Sequence, residues 1–550
     1  MDTIILTFEN GEKREYIRGV KFQDVVNDIK GLYQFDILCG KFKNQVIDYE
    51  DSILKSGNII LYDLNTKEGN KIYEKGLTIL FESCVREVLG KDTSIKISYS
   101  IDRGIYCKIN KELSDDILKE IKKLMILKVD KGIPFVKVET SKNDTLEYFK
   151  GLKREDKVKM IYYDTSPFIS LYKFDGTYNY ILGKVPHDSS VLKYFDLTLL
   201  NNGIVLRFPS IYDNGKIVKY THHENYYNSL EEYSNWADLL NISNIGELND
   251  AIINDNAGEI IKLCEMIQDY NLLNIAEKIT LNKNNIKIVL ISGPSSSGKT
   301  TTSKKLALYL KSLGLTPHQI SLDDYFLNRD DTPLDEDGKP DFESLRAIDI
   351  KLFNSQMEKM LRGLKVITPT FDFVSGKKTF DKPIQMSDKD ILIVEGLHAL
   401  NNNLLKNIEK KYKFKIYISP LAFMGIDDDN RISMTDIRLL RRMIRDNRTR
   451  GYNAEKTLLT WSSVRKGEEK YVFPFQDEAD VIFNSILAYE LGVIKTYAEP
   501  LLFSIKEESQ EYLTAIRLIE TLKFVLPIPS DTIPDVSILR EFIGNSYFEK

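Results

Sequence analysis

The 550-residue chain is predicted to be multidomain, α+β at the front and α/β with a parallel sheet at the back. Three observations point there. The length exceeds what one hydrophobic core organises, so several domains are expected. Short strand-like runs, turns and helical stretches alternate through the first half. An apolar run, Ile288 to Ser292, enters GPSSSGKTT (Gly293 to Thr301), and a helical pattern follows through Leu306, Leu310 and Leu313 to a stop at Gly314. That order of strand, turn and helix is the context a GxxxxGK[ST] motif needs.

Composition narrows the class. Hydrophobic residues at 42% and aromatics at 11% are those of a folded protein. The formal net charge of −5 gives no global drive toward nucleic acid or acidic membranes. Cys39, Cys84, Cys107 and Cys264 form no CxxC pair, which argues against a disulfide framework and against a thiolate zinc site. The chain opens on an alternating run, Thr3 to Phe8, and holds no apolar stretch of membrane-spanning length. A soluble, cytoplasmic protein with no membrane partner is expected.

Residues 1–66 read as strand, Asn10-Gly11 turn, strand, a short helix over Gln23 to Ile29, and further strands ending in Asn58 to Tyr62. Residues 67–225 alternate helices, such as Thr78 to Leu89 and Asp115 to Leu127, with strands, such as Ile95 to Tyr99, Val158 to Tyr163 and Gly203 to Phe208. Within them, Asp188-Ser189-Ser190 reads as a turn, and His222-His223-Glu224 as a solvated loop poorly suited to a shared metal. Residues 226–284 are helical, with Ile260, Leu263, Cys264 and Ile267 at helical spacing, and read as a connector. Residues 285–550 form the catalytic half, with a mostly helical extension at its end.

The P-loop explains itself residue by residue. Gly293 and Gly298 let the backbone turn its N–H groups inward, and the helix that starts there adds its positive dipole end. Pro294, Ser295, Ser296, Ser297 and Thr301 complete the cradle. Lys299 is placed to reach the outer phosphates and Thr300 to offer a hydroxyl to Mg²⁺. ATP and Mg²⁺ are therefore the expected cofactors.

A second strand, His318 to Leu322, ends in Asp323-Asp324-Tyr325-Phe326, and a third, Ile391 to Val394, ends in Glu395. Ligands of open α/β sheets sit beyond the carboxyl ends of strands, so Asp323 is placed to accept a hydroxyl proton and Glu395 to orient a metal shell. A helix over Asp436 to Gly451 carries Ile437, Leu440 and Ile444 on one side. Seven arginines lie between Arg431 and Arg450, dense enough for some of them to close on phosphates as a lid.

Taken together, GPSSSGKTT, DDYF, DFESLRAID, TPTFDFVSGKK, IVEGLHAL and LLRRMIRDNRTRG occur in the order seen in the uridine kinase and phosphoribulokinase family, which the stretch 286–484 resembles. The resemblance implies Asp323 as catalytic base and Lys299, Arg442 and Arg445 as catalytic cations. It further implies Arg450 beside the nucleotide, and Glu395 with Thr300 as Mg²⁺ ligands, partly through water. The acceptor would lie against Asp323, Tyr325, Glu343, Phe371, Phe373 and Arg442. Gly376 departs from the family, standing where uridine-cytidine kinases carry a histidine on the pyrimidine. Tyr452 departs where a further lid base is common.

Residues 1–66 resemble the ubiquitin-like β-grasp TGS domain. Residues 67–225, through KGLTILFESCVREVLG and ISYSIDRGIYCKI, are similar to the editing-type second domain of threonyl-tRNA synthetase. The synthetase helix carries an HxxxH pair; here those positions are Gly76 and Leu80, so no zinc chemistry carries over. The expected function is ATP-dependent phosphorylation of a small-molecule hydroxyl, foremost the 5′-hydroxyl of a nucleoside. Another alcohol or a sugar phosphate is the enzymatic alternative. A regulatory P-loop ATPase with a tRNA-like ligand on residues 1–225 is the alternative of a different class. The assembly state is left open.

Overall fold

The computed structural model describes residues 2–213, 215–334, 338, 341, 343–372 and 375–549. At the front, Thr3–Thr7 pairs antiparallel with Lys13–Ile17 and parallel with Gly57–Tyr62, which in turn pairs with Cys39–Phe42 in a five-stranded sheet. Helix Phe22–Ile29 lays Phe22, Val25, Val26 and Ile29 on one face of that sheet, against Leu6, Ile59 and Leu61. Their spacing puts all four on one helical stripe.

Helix Lys67–Leu89 follows, capped by the Thr66 hydroxyl, which accepts from the Gly69 N–H. It packs with helix Asp115–Lys131 against a four-stranded antiparallel sheet that includes Ile95–Ile101 and Gly104–Ile109. Gly76 lies against Pro186, whose Cδ would stand 2.5 Å from an added Cβ, and Leu80 is fully buried. Both are packing positions.

One expected strand is a helix. Val158 to Tyr163 belongs to Glu155–Tyr163, which buries Met160 and Ile161. The run of β-branched and aromatic residues reads as a strand in isolation, but Glu155 and Asp156 favour a helix start. Lys157, fully buried, fixes the segment by pairing with Asp427 at 3.0 Å and Asp429 at 2.9 Å, more than 250 residues away. His223 likewise leaves the expected solvated loop, pairing with Asp477 at 2.6 Å and with Asp102.

The stretch read as a connector is three helices, Glu224–Leu240, Ile245–Ile253 and Ala257–Leu281. They share one hydrophobic core with the back half, including Val289, Ile291 and Leu306. Gln268 donates to the carbonyls of Asn484 and Ile486, both at 2.9 Å.

The back half is built on five parallel strands in the spatial order Thr316–Ser321, Asp390–Glu395, Ile288–Ser292, Lys413–Ser419, Val481–Asn484. Register aligns Ser321 with Glu395 and Ile291 with the same Glu395, so three strand ends open on one edge. Among the described residues, no helix is long and apolar enough to cross a membrane.

Candidate active site

The central strand Ile288–Ser292 is buried along its whole length, because a parallel sheet covered on both faces has no wet side. Directly after it, Gly293 runs so close to the next strand that a Cβ would lie 2.0 Å from the Ile418 carbonyl. Ser296 at φ 59° and Gly298 at φ 87° then reverse the chain. Helix Lys299–Ser312 starts without a side-chain cap, and the Ser296 and Ser297 hydroxyls are buried with no hydrogen-bond partner in the structure. A loop with unpartnered hydroxyls, ahead of an uncapped helix N-terminus, suits a polyphosphate.

Lys299 donates to the Pro294 carbonyl at 3.0 Å. Burial lowers its pKa, while Glu395 and Asp323 pull it back up. Thr300 is exposed at the mouth. Thr301 is tied by its N–H (3.1 Å) and its hydroxyl (2.8 Å) to Glu541, a carboxylate from the C-terminal extension. The same extension sets Ile538 against Gly298, where a Cβ would be 2.6 Å from Ile538 Cγ2.

Asp323 sits in a short 3₁₀ turn, Leu322–Tyr325, whose N–H is capped by the Ser321 hydroxyl. Asp323 keeps exposed surface, yet desolvation by the surrounding protein raises the pKa of its carboxyl, against the pull of Lys299, Arg450 and Arg445. Glu395 accepts from Ser321 Oγ at 3.1 Å and is pushed up to about 7, first by burial and then by the Asp323 charge. Asp323, Glu395 and Lys299 thus share one electrostatic field.

Glu343 joins them. Its carboxyl is pushed up to about 7 by burial and by Glu468 and Asp323, with Arg442 and Lys299 opposing. Gly467 lets it approach, since a Cβ there would be 2.7 Å from Glu343 Cβ. Phe371 is nearly buried, edge-on to Phe326 at 5.9 Å, and its N–H donates to Asp324 at 3.1 Å. Phe373 lies outside the described residues. Tyr325 corrects the sequence reading: its ring has no exposed surface, packs edge-on to Phe353 and donates its hydroxyl to Gln356 at 2.7 Å, so it presents nothing to a ligand in this conformation. Gly376 is met by Arg329, whose N–H donates to the Gly376 carbonyl at 3.1 Å and whose side chain covers the spot a Cβ would fill.

The arginine-rich stretch is one continuous helix, Met434–Arg450, and its arginines divide by depth. Arg442 donates to Ser295 Oγ of the loop at 2.8 Å. Arg442, Arg445 and Arg450 gather around the fully buried Asp446 at 3.2, 2.8 and 3.5 Å. Arg438 and Arg441 are internal braces, the first on Glu468 at 2.5 Å, the second on Glu490 at 2.5 Å. Arg438 also donates to the Ser295 carbonyl at 3.0 Å, and Glu468 accepts from the Ser295 N–H at 2.7 Å. The loop is therefore held from behind by a buried ion pair.

Sequence reasoning passed over Asp446, Glu468, Gly467 and Glu541. Asp446 carried the one local signal, a lone acid inside a run of arginines. The others acquire their place only through contacts across the fold. Among the described residues no group of three or more His, Cys, Asp or Glu forms a metal cage by itself.

Comparison with known proteins finds a model described as the phosphoribulokinase / uridine kinase family over residues 288–491. The uridine kinase of Macrococcus caseolyticus (strain JCSC5402) is 31% identical over 196 residues, 36% of this chain and 86% of that protein. The uridine kinase of Staphylococcus aureus (strain JH9) is 29% identical over 196 residues, again 36% of this chain and 86% of its own. Among solved structures, D-glycerate 3-kinase from Cryptococcus neoformans var. grubii aligns at 17% identity, over 45% of this chain and 80% of its own, with a TM-score of 0.20.

Proposed function

The chain belongs to the phosphoribulokinase / uridine kinase family through its back half, and from that premise we propose that it is an ATP- and Mg²⁺-dependent kinase acting on the 5′-hydroxyl of a nucleoside. The observation that carries this reading is the convergence of Asp323, Glu395 and Lys299 where three strand ends meet the phosphate loop. Two further features favour a nucleoside over a sugar phosphate. The two relatives compared are uridine kinases, and Glu343 supplies a carboxyl beside Asp323 that suits ring hydroxyls.

In this reading Gly293 to Thr301, with Arg450, hold the nucleotide, and Thr300 with Glu395 orient Mg²⁺ and its waters. When bound, ATP supplies the phosphoryl group and Mg²⁺ offsets part of its charge. Glu343 accepts hydrogen bonds from the acceptor's ring hydroxyls, and Phe371 backs its base. Asp323 takes the proton of the attacking hydroxyl, its raised pKa bringing it nearer the working pH of a general base. Lys299, Arg442 and Arg445 hold positive charge around the phosphoryl oxygens, and Asp446 keeps those two arginines in place.

We read residues 1–66 as a TGS-like β-grasp domain and 67–225 as a synthetase-like scaffold without its metal site. Residues 226–284 form the helical link and 285–550 the kinase with its extension. Support comes from the helix packed on the first sheet and from the packing roles of Gly76 and Leu80. The test is ADP release with Mg·ATP across nucleosides, sugar phosphates and pantothenate, with Asp323→Asn alongside. Turnover should require a nucleoside and fall about 10²- to 10⁴-fold in the variant. ADP release that ignores every acceptor and survives the substitution refutes it.

A further inference from the structure

A cavity of about 500 Å³ lies away from the phosphate loop, between the front and back halves. Its walls come from helix Lys67–Leu89, the loop at Ser210–Tyr212, the start of the arginine helix, helix Ala454–Tyr471 and helix Tyr512–Lys523. A neighbouring cavity of about 470 Å³ shares Lys71, Lys75 and Arg517 with it. The size is that of a small-molecule site. One side is apolar, formed by Ile97, Ile181, Ile432, Leu439 and Trp461.

The other side is cationic. Lys71 and Lys75 stand one helical turn apart and face Arg517. Most of the carboxylates nearby are engaged: Glu74 by Arg431 at 2.7 Å, Asp436 by Arg517 at 2.9 Å, and Asp429 by Lys157 and Arg154. Glu520 stands at the exposed rim. Lys71 Nζ is buried without a hydrogen-bond partner, its nearest ion-pair partner being Glu68 at 3.6 Å. Among the described residues Lys75 has a backbone acceptor alone, the Leu182 carbonyl. Burial and the charge of Arg517 push both amines down to about 8 against the pull of Glu68, and no carboxylate is hydrogen-bonded to either amine among the described residues, so a ligand anion would complete their pairing.

We propose that this cavity is a second ligand site, taking a small organic anion with its phosphate or carboxylate on Lys71 and Lys75 and its apolar body against Trp461, and that occupancy is felt at the phosphate loop. The route is short. Arg438 stacks over the Trp461 ring at 5.2 Å, and Arg465, on the cavity wall, donates to Glu468 at 2.9 Å. Arg438 and Glu468 are the pair that grips Ser295 from behind. Movement of Trp461 or Arg465 changes the seat of the loop. The site stands whatever the acceptor of the kinase proves to be.

The chain has two tryptophans, Trp236 and Trp461, so Trp236→Phe leaves the cavity residue as the sole reporter. The full chain carrying that change, with Mg·ADP at saturation to fill the phosphate loop, is titrated with phenyl phosphate, benzoate and inorganic phosphate. Phenyl phosphate should change Trp461 emission saturably and bind more tightly than inorganic phosphate. Adding Lys71→Met with Lys75→Met should weaken its Kd at least about tenfold, while Lys71→Arg with Lys75→Arg retains it. Calorimetric titration of the initially nucleotide-free protein with Mg·ADP, with and without saturating phenyl phosphate, then reads whether occupancy shifts the Kd of Mg·ADP at least about threefold, a shift that the methionine variant must lack if it is not competition at the loop itself. No saturable response to any probe, or equal binding by the methionine variant, overturns the site. Binding with unchanged Mg·ADP affinity overturns the coupling.

Discussion

Replacing Glu541 by alanine should strengthen nucleotide binding. Its carboxylate accepts two hydrogen bonds from Thr301, one of them from an N–H in the first turn of the helix that opens at the phosphate loop. Those N–H groups are the donors that a nucleotide phosphate needs, and a carboxylate among them is both a competitor and a like charge. A hydrogen bond to a charged group contributes about 1.5–3 kcal/mol net. If the nucleotide must displace Glu541, removing it should lower the Kd of Mg·ADP by about 10- to 100-fold, at about 1.4 kcal/mol per tenfold. Glutamine keeps an acceptor oxygen without the charge and should fall between. Alanine also keeps the backbone carbonyl to which Arg448 donates at 2.9 Å, so the extension stays docked. Calorimetric titration of the wild type, Glu541→Ala and Glu541→Gln with Mg·ADP, beside thermal melts of each, decides the matter. Equal or weaker binding by a well-folded Glu541→Ala would refute the competition.

Glu343→Gln should flatten a pH dependence. The folded pKa of Glu343, near 7, lies above its ordinary value of 4.5, so its contribution to stability is full below about 4.5 and lost as pH rises through 7. Wild-type melting temperature should therefore drop across that window relative to the variant, while the acceptor KM improves over the same window only in the wild type. Glu468→Gln should cost about 3–5 kcal/mol in urea titrations, because Arg438 is left buried without its counter-charge. Nucleotide affinity should fall with it; unchanged stability would show that the pair does not brace the loop. Gly298→Ala should weaken Mg·ADP binding at least about tenfold, since its φ of 87° disfavours any side chain and Ile538 fills the space. A variant with native affinity would mean that the loop relaxes freely.

The part of the site written locally was the part that could be read. Ile288 to Thr301 carries its strand, its turn glycines and its helix in one stretch, and Asp323 and Glu395 each follow directly on an apolar run. The arginines were visible as a cluster, but depth was not: nothing in the spacing separates Arg438 and Arg441, which are buried, from Arg450, which is half exposed. Glu468 and Glu541 are two among 81 acidic residues. What singles them out is a partner 30 or 240 positions away. Tyr325 shows the converse, a residue inside a recognisable motif whose side chain turns into the core because Phe353 and Gln356 receive it. At Val158 to Tyr163 local propensity pointed to a strand, and the long-range pairs of Lys157 fixed a helix.

Those pairs bear on how the chain can be dissected. A gene fragment encoding residues 285–550 keeps every group of the phosphate site but leaves Asp427 and Asp429 without Lys157 and Arg154, which belong to the front half. Excised in this way, the catalytic module carries adjacent carboxylates shaped for a cation it no longer has. Mixing it with separately produced residues 1–284 should restore a single melting transition. On that outcome the two halves are complementing fragments of one folding unit, and a cut between them has to respect that seam.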